Sequence, residues 1–129
     1  MVLADDRGSV RRSLRLLLER EDVLDVVAEA SDLPAAIRHV AAHRPDVLVM
    51  DARLPDGSSA DRIGRLRARS PRTGIVVISM HDSAVFAEHA FKAGALGFVL
   101  IDNADQELPE AVRRVARGRV YRSPRLRRR

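Results

Sequence analysis

A chain of 129 residues with 23 basic and 18 acidic side chains is long enough for one domain that buries about two-thirds of its unfolded surface. Cysteine is absent, which excludes disulfides and thiolate metal sites and favours a reducing compartment. No apolar stretch approaches the ~18 residues of a membrane span, and no basic-then-apolar leader opens the chain. We therefore expect a cytosolic protein.

The charges are unevenly distributed along the chain. Residues 1–112 carry 14 basic and 18 acidic groups, whereas the last 17 residues carry nine arginines and no acid. The chain is thus an acidic domain with a basic tail. Such a tail either binds phosphates without reading sequence or is the solvated end of a helix followed by a linker, and we favour the second interpretation.

Short apolar runs alternate with amphipathic stretches. The pattern predicts five strands, at 2–4, 23–28, 47–50, 74–79 and 96–100. Five helices alternate with them, at 8–20, from a cap at Ser31 or Asp32 to Pro45, at 58–70, from a cap at Asp82 or Ser83 to Lys92, and from Ala104 to Arg117. The exposed face of the helix at 58–70 is mostly arginine. Residues 120–129 show no periodicity.

The alternation of strands and helices sets the fold class. Strands that are continuous apolar runs, joined by helices, imply a parallel sheet with right-handed crossovers and both faces covered. The sequence therefore predicts an α/β domain of three layers, with a doubly wound, five-stranded parallel sheet.

Polar side chains follow several of these strands, namely Asp5 and Asp6, Asp51, Ser79 and Asp102. The carboxyl ends of parallel strands share one edge, where ligands bind in such sheets. Two carboxylates ~4 Å apart repel by about 4 kcal/mol at an effective dielectric of ~20, so a cluster needs a cation. Hard oxygen ligands without His or Cys favour Mg²⁺. The alternative role for Asp6 is to cap the first helix. The alternative role for Asp51 is to form a turn.

Four segments carry a family resemblance: Val-Leu-Ala-Asp-Asp at 2–6, the run from Pro45 to Gly57, Val-Val-Ile-Ser-Met-His-Asp at 76–82, and Ala-Gly-Ala-Leu-Gly-Phe-Val-Leu at 93–100. In order and spacing they resemble a response-regulator receiver domain of two-component signalling, in the subfamily with a LuxR-type helix-turn-helix output domain. The resemblance covers residues 1–117 and leaves 118–129 as a basic linker or tail. It implies a flavodoxin-like fold with strand order 2-1-3-4-5.

The resemblance also implies roles for individual residues. Asp51 would be the phosphoacceptor, Asp5 and Asp6 would hold Mg²⁺ with Asp51 and the backbone carbonyl of Arg53, Ser79 would be the switch hydroxyl, and Phe98 would be the aromatic switch residue. A sensor histidine kinase would supply the phosphoryl group. The resulting protein would be a signalling switch for transcription, with no enzymatic activity beyond its own phosphorylation and dephosphorylation.

One position departs from the family pattern. Ile101 stands where the family places a lysine after the last strand. Lys92 lies upstream on a helix. Arg7 and Arg53 flank the site and could compensate for the missing cation, but we favour solvent-facing side chains for both. We therefore expect Mg²⁺ binding to persist and phosphorylation to couple weakly to output.

Two other classes compete with the phosphorylatable switch. A degenerate receiver would act as an interaction or dimerisation module without phosphate, through the face of the fourth helix, fifth strand and fifth helix. A haloacid-dehalogenase-type phosphatase would need a second Asp two residues after Asp51, where this chain has Arg53, which argues against it.

The chain's histidines and its end add two expectations. His39, His43, His81 and His89 lack a converging ligand spacing, and we expect surface or boundary positions for all four, although His81, two residues past Ser79, could tune access to the phosphoryl pocket. Residues 117–124 resemble the linker to a helix-turn-helix domain. The chain is either cut at this linker or a stand-alone receiver, and DNA would be bound only through an output domain that it does not contain.

Overall fold

Six parallel strands form one sheet in the part of the chain that the computed structural model describes, residues 1–21, 24–55 and 57–127. The strands are β1 (Val2–Ala4), β2 (Ala28–Ala30), β3 (Val47–Asp51), β4 (Gly74–Ser79), β5 (Gly97–Leu100) and β6 (Tyr121–Arg122). The helices are α1 (Gly8–Glu19), α2 (Leu33–His43), α3 (Ser59–Arg69), α4 (Ala84–Ala93) and α5 (Ala104–Ala116), with a short 3-10 helix at Ile101–Asn103. The strand order β2-β1-β3-β4-β5-β6 confirms the predicted order and adds one strand.

The central strands place successive side chains in two apolar cores, one on each face of the sheet. In β3, Leu48 and Met50 pack with α2, α3 and α4, whereas Val47 and Val49 pack with α1 and α5. Because helices cover both faces, the strand is apolar at every position from 47 to 50 rather than at alternate ones. The predicted three-layer architecture is confirmed.

Side-chain caps fix the starts of three helices. The side chain of Asp32 accepts from the N–H of Ala35 at 2.9 Å, and Ser83 accepts from Phe86 at 3.4 Å. Of the two candidates at each start, the caps are thus Asp32 and Ser83. Ser58 caps α3 in the same way, and no helix in the described residues is long and apolar enough to cross a membrane.

The second strand lies later in the chain than predicted. It comprises Ala28–Ala30, while residues 24–27 are outside any strand and Val23 is outside the described residues. Pairing with β1 decides this placement, since Val2 and Ala4 are opposite Ala28 and Ala30. Before β2, Leu24 donates to the carbonyl of Glu21 in the turn after α1, Val26 is buried in the core, and Val27 donates to the carbonyl of Met1. Tertiary pairing here overrides the local β-propensity of the valines.

Residues 121–127 of the basic tail contact the domain. Tyr121 and Arg122 pair with Gly97 and Phe98 of β5, in a strand too short to show any periodicity. Arg122 forms an ion pair with Glu88 at 2.6 Å, and Arg127 pairs with Asp82 at 3.8 Å. Arg122 and Arg127 of the tail therefore pair with acids of the domain. The predicted boundary at residue 117 stays a prediction.

Candidate functional site

Two carboxylates lie side by side at the carboxyl edge of the sheet. Asp51 is the last residue of β3, and Asp5 directly follows β1. Since Ala4 of β1 is opposite Met50 of β3, the next residue of each strand reaches the same point of the edge. Both side chains are withdrawn from solvent, with Asp5 1% and Asp51 4% exposed. The convergence of these two strand ends was predicted from the sequence.

The guanidinium of Arg7 bridges the two carboxylates. Its Nε lies 3.4 Å from Asp5 Oδ1, and its Nη2 donates to Asp51 Oδ2. The backbone N–H of Arg7 also donates to Asp5 Oδ1, at 2.8 Å. The expectation that Arg7 faces solvent is therefore wrong, because two buried carboxylates attract its side chain.

The electrostatics of the pair depend on this bridge. Burial raises the pKa of Asp5, the hydrogen bond from the Arg7 backbone opposes the rise, and the charge of Asp51 adds to it, so that the pKa lies above its usual value. Burial opposes the charged form of Arg7, but the two carboxylates outweigh that effect and raise the pKa of Arg7. Arg7 is thus a permanent cation at the site.

The second oxygen of Asp51 is held by the loop that follows β3. Asp51 Oδ1 accepts from the backbone N–H of Arg53 at 2.6 Å. The side chain of Arg53 is exposed, as expected, and its Nη1 lies 3.2 Å from the sulfur of Met80. Both oxygens of Asp51 are therefore oriented by hydrogen bonds.

The third predicted carboxylate is placed differently. Asp6 is exposed, and the capping residue of α1 is Arg7, not Asp6. Within the described residues, no three His, Cys, Asp or Glu side chains are grouped so that they could hold a metal ion. The part of Asp6 in a metal site stays a prediction.

Ser79 lies on β4, which pairs with the strand that ends at Asp51, and Phe98 lies on β5, one strand further along the sheet. Ser79 ends β4 one residue beyond Ile78, the partner of Asp51, and its buried Oγ accepts from the N–H of His81 at 2.9 Å. Phe98 is fully buried, with its ring centroid 6.0 Å from that of Phe86. Ser79 thus lies at the edge of the site, and Phe98 lies in the core below α4.

Position 101 contributes no charge to the site. Ile101 opens the short 3-10 helix and packs against the core beneath α1 and α5. It lines an open surface pocket with Val10, Leu14 and Leu17 of α1. The side chain at position 101 therefore takes part in the apolar packing of α1 and α5.

The predictions missed the role of Arg62. It was expected on the exposed face of α3, yet it is 3% exposed, and its guanidinium donates to the carbonyls of Ala52 and Gly57. It thereby fastens the loop that follows Asp51. The available signal was its spacing, since it precedes the buried Leu66 by one helical turn. Three of the four histidines are exposed and His39 is half-buried, in line with their expected surface positions.

The chain belongs to the response regulator receiver domain family, whose model matches residues 1–113. It is 35% identical over 122 residues to the oxygen regulatory protein NreC of Staphylococcus epidermidis, covering 94% of this chain and 56% of that protein. The NreC protein of Staphylococcus carnosus is also 35% identical, over 98% of this chain and 58% of its own length. The chain thus spans little more than half the length of these curated relatives.

Solved structures agree with this family. A LuxR-family two-component response regulator from Aurantimonas sp. SI85-9A1 matches with a TM-score of 0.91 and 35% identity, covering 97% of this chain and 89% of that one. The receiver domain of the putative response regulator NarL from Mycobacterium tuberculosis matches with a TM-score of 0.84 and 34% identity, over 92% and 95% of the two chains. The predicted resemblance to LuxR-type receivers is confirmed.

Proposed function

We propose that this domain is a phosphorylatable receiver in which Asp51 accepts a phosphoryl group from a sensor histidine kinase in the cytoplasm. The observation that supports the proposal best is the buried Asp51 carboxylate at the end of β3, oriented by Arg7 and by the N–H of Arg53 next to Asp5. An oxygen of Asp51 attacks the donor's phosphorus, a new P–O bond forms, and the bond from phosphorus to the donor breaks.

A magnesium ion fits the chemistry of this edge. Asp5 and Asp51 are hard oxygen donors that already accept a positive group between them, namely the guanidinium of Arg7. We propose that Asp5, Asp6, Asp51 and the backbone carbonyl of Arg53 hold Mg²⁺. When bound, the ion would stabilise charge on the transferring phosphoryl group.

We propose that Ser79 and Phe98 read the modification. The phosphoryl group adds nearly two negative charges, so nearby donors reorganise around it. The hydroxyl of Ser79 now accepts from His81 and has its own proton free to donate to a phosphoryl oxygen. A shift of that loop would change the packing of Phe86 on Phe98. Phe98 therefore links the site to the face formed by α4, β5 and α5.

Intact-mass analysis tests this function. The wild-type domain, incubated with Mg²⁺ and acetyl phosphate, should gain the mass of one phosphoryl group, and Asp51→Asn should gain none. Ser79→Ala should still be modified. Wild-type protein that stays unmodified, or equal modification of Asp51→Asn, would contradict the proposal.

A phosphate-independent interaction module is the second candidate. It is favoured by Ile101, which leaves the site without the family's lysine and packs between α1 and α5. In either case the output and any DNA binding would reside outside these residues, and a homodimer would form through the domain. Sedimentation with and without acetyl phosphate separates the two: the switch predicts a change in oligomeric state, and the module predicts none.

A further inference from the structure

We propose that Arg7 is the resident cation of the acceptor site and the charge partner of the phosphoryl group, in place of the lysine that the family carries at position 101. This inference rests on the proposed function of Asp51. Arg7 is the residue whose guanidinium contacts both buried carboxylates.

The local sequence gives Arg7 no other task. It is the N-cap residue of α1, with an extended backbone and no side-chain cap bond. Helix N-caps favour Ser, Thr, Asp or Asn, whose oxygens accept from the first turn. A cation at this end of a helix is unfavourable because the helix dipole is positive there. The interaction that offsets this disadvantage is the double ion pair with Asp5 and Asp51.

The neighbouring arginines have other partners. Arg11, one turn further along α1, donates from Nη1 to the carbonyl of Asp5 at 2.6 Å and from Nε to Glu29 at 2.9 Å. The guanidinium of Arg53 lies against Met80. Within the described residues, Arg7 is therefore the cation placed to balance the carboxylate pair.

The chemistry of the guanidinium suits the role. Its planar array of N–H donors matches the oxygens of a phosphoryl group as well as those of a carboxylate. The side chain of Arg7 is 31% exposed, so it reaches the carboxylates from the solvent side, where the donor must approach. After transfer, its hydrogen bond to Asp51 Oδ2 passes to a phosphoryl oxygen, and Arg7 keeps all of its protons.

The same placement makes Arg7 a competitor of divalent cations. A metal ion bound between Asp5 and Asp51 would have to displace the guanidinium or share the carboxylates with it. The site would then be balanced without metal and would bind Mg²⁺ more weakly than the carboxylates alone would do. These two consequences separate a charge partner from a residue that only supports the fold.

The experiment compares Arg7→Gln with Arg12→Gln, a control on an exposed position of the same helix. Calorimetric titration should give Arg7→Gln a Mg²⁺ dissociation constant about tenfold lower than that of the control. At saturating Mg²⁺, its labelling by acetyl phosphate should nonetheless be roughly tenfold to hundredfold slower. Ile101→Lys added to Arg7→Gln should recover most of that rate. A merely structural residue would not show tighter metal binding together with slower labelling.

Equal Mg²⁺ affinities and equal labelling rates for the two variants would overturn the inference and leave the proposed function standing. Failure of Ile101→Lys to restore the rate would also overturn it. If the wild-type domain takes up no phosphoryl group, the proposed function fails. The Mg²⁺ titration then tests by itself whether Arg7 is the resident cation of the site. A metal-free double-mutant cycle with Arg7→Lys and Asp51→Asn keeps the test open if Arg7→Gln does not fold. Coupling between these positions supports the ion pair, and its absence refutes it.

Discussion

Among the arginines of α3, Arg62 is the one whose replacement by alanine we expect to cost the most stability. The guanidinium donates to the carbonyls of Ala52 and Gly57 and to the hydroxyl of Ser59. A hydrogen bond from a charged donor contributes about 1.5–3 kcal/mol, and a buried carbonyl left without its donor costs about 1–3 kcal/mol. Because water entering the vacated space recovers part of this, the free energy of unfolding should fall by about 3–5 kcal/mol.

Urea unfolding measures this change. With an m value of about 2 kcal/mol/M, the midpoint should fall by roughly 1.5–2.5 M. Arg65→Ala is the matched control, since Arg65 is exposed on the same helix, and it should stay within about 0.5 kcal/mol of the wild type. Arg62→Lys should fall between them, because one ammonium lacks the fork that serves two carbonyls. Coincident midpoints for Arg62→Ala and Arg65→Ala would refute the view that Arg62 fastens the loop after Asp51.

Two further measurements address the tail and the glycines. Burial and the nearby Glu107 raise the pKa of Tyr121, the chain's one tyrosine, to about 12. The absorbance change of its phenol on ionisation should therefore have its midpoint near that pH, and Glu107→Gln should lower this midpoint. The unfolded state loses its proton first, so stability should decline from about pH 10 to about pH 12; a wild-type midpoint near 10 would contradict the docked tail. Gly94→Ala should lower the free energy of unfolding by more than about 1 kcal/mol, because Gly94 has φ +117°. Gly64→Ala, in open space inside α3, should raise the free energy of unfolding by about 0.5–1 kcal/mol. Urea midpoints that shift in the same direction would contradict this contrast.

The electrostatic design of the site follows from where its charges lie. Asp51 and Asp5 are brought together by adjacent strands, and their mutual repulsion in a buried position requires a cation. Ile101, directly after β5, supplies no cation and lines an open surface pocket against α1. Arg7, at the start of α1, supplies the cation that the two carboxylates require. The charge of the two carboxylates is therefore balanced without a lysine at position 101.

The sequence by itself determined the architecture of this domain. Runs such as 75–78 and 47–50 are apolar at every position, which specifies strands covered on both faces, and Gly94 marks a helix end through local geometry. The positions of Asp5, Asp51 and Ser79 at strand ends follow from the same local patterns. These features depend on neighbours close in the chain, so that residue order is sufficient to predict them.

The tertiary structure decided the features that depend on distant partners. Arg7 turns inward because Asp51, 44 residues away in sequence, lies beside Asp5. Arg62 is buried because the carbonyls after β3 need a donor, and Tyr121 forms a sixth strand because β5 offers an unpaired edge. A long, flexible arginine carries no local signal of its direction, since its orientation is set by the charges and hydrogen-bond partners that the fold brings to it.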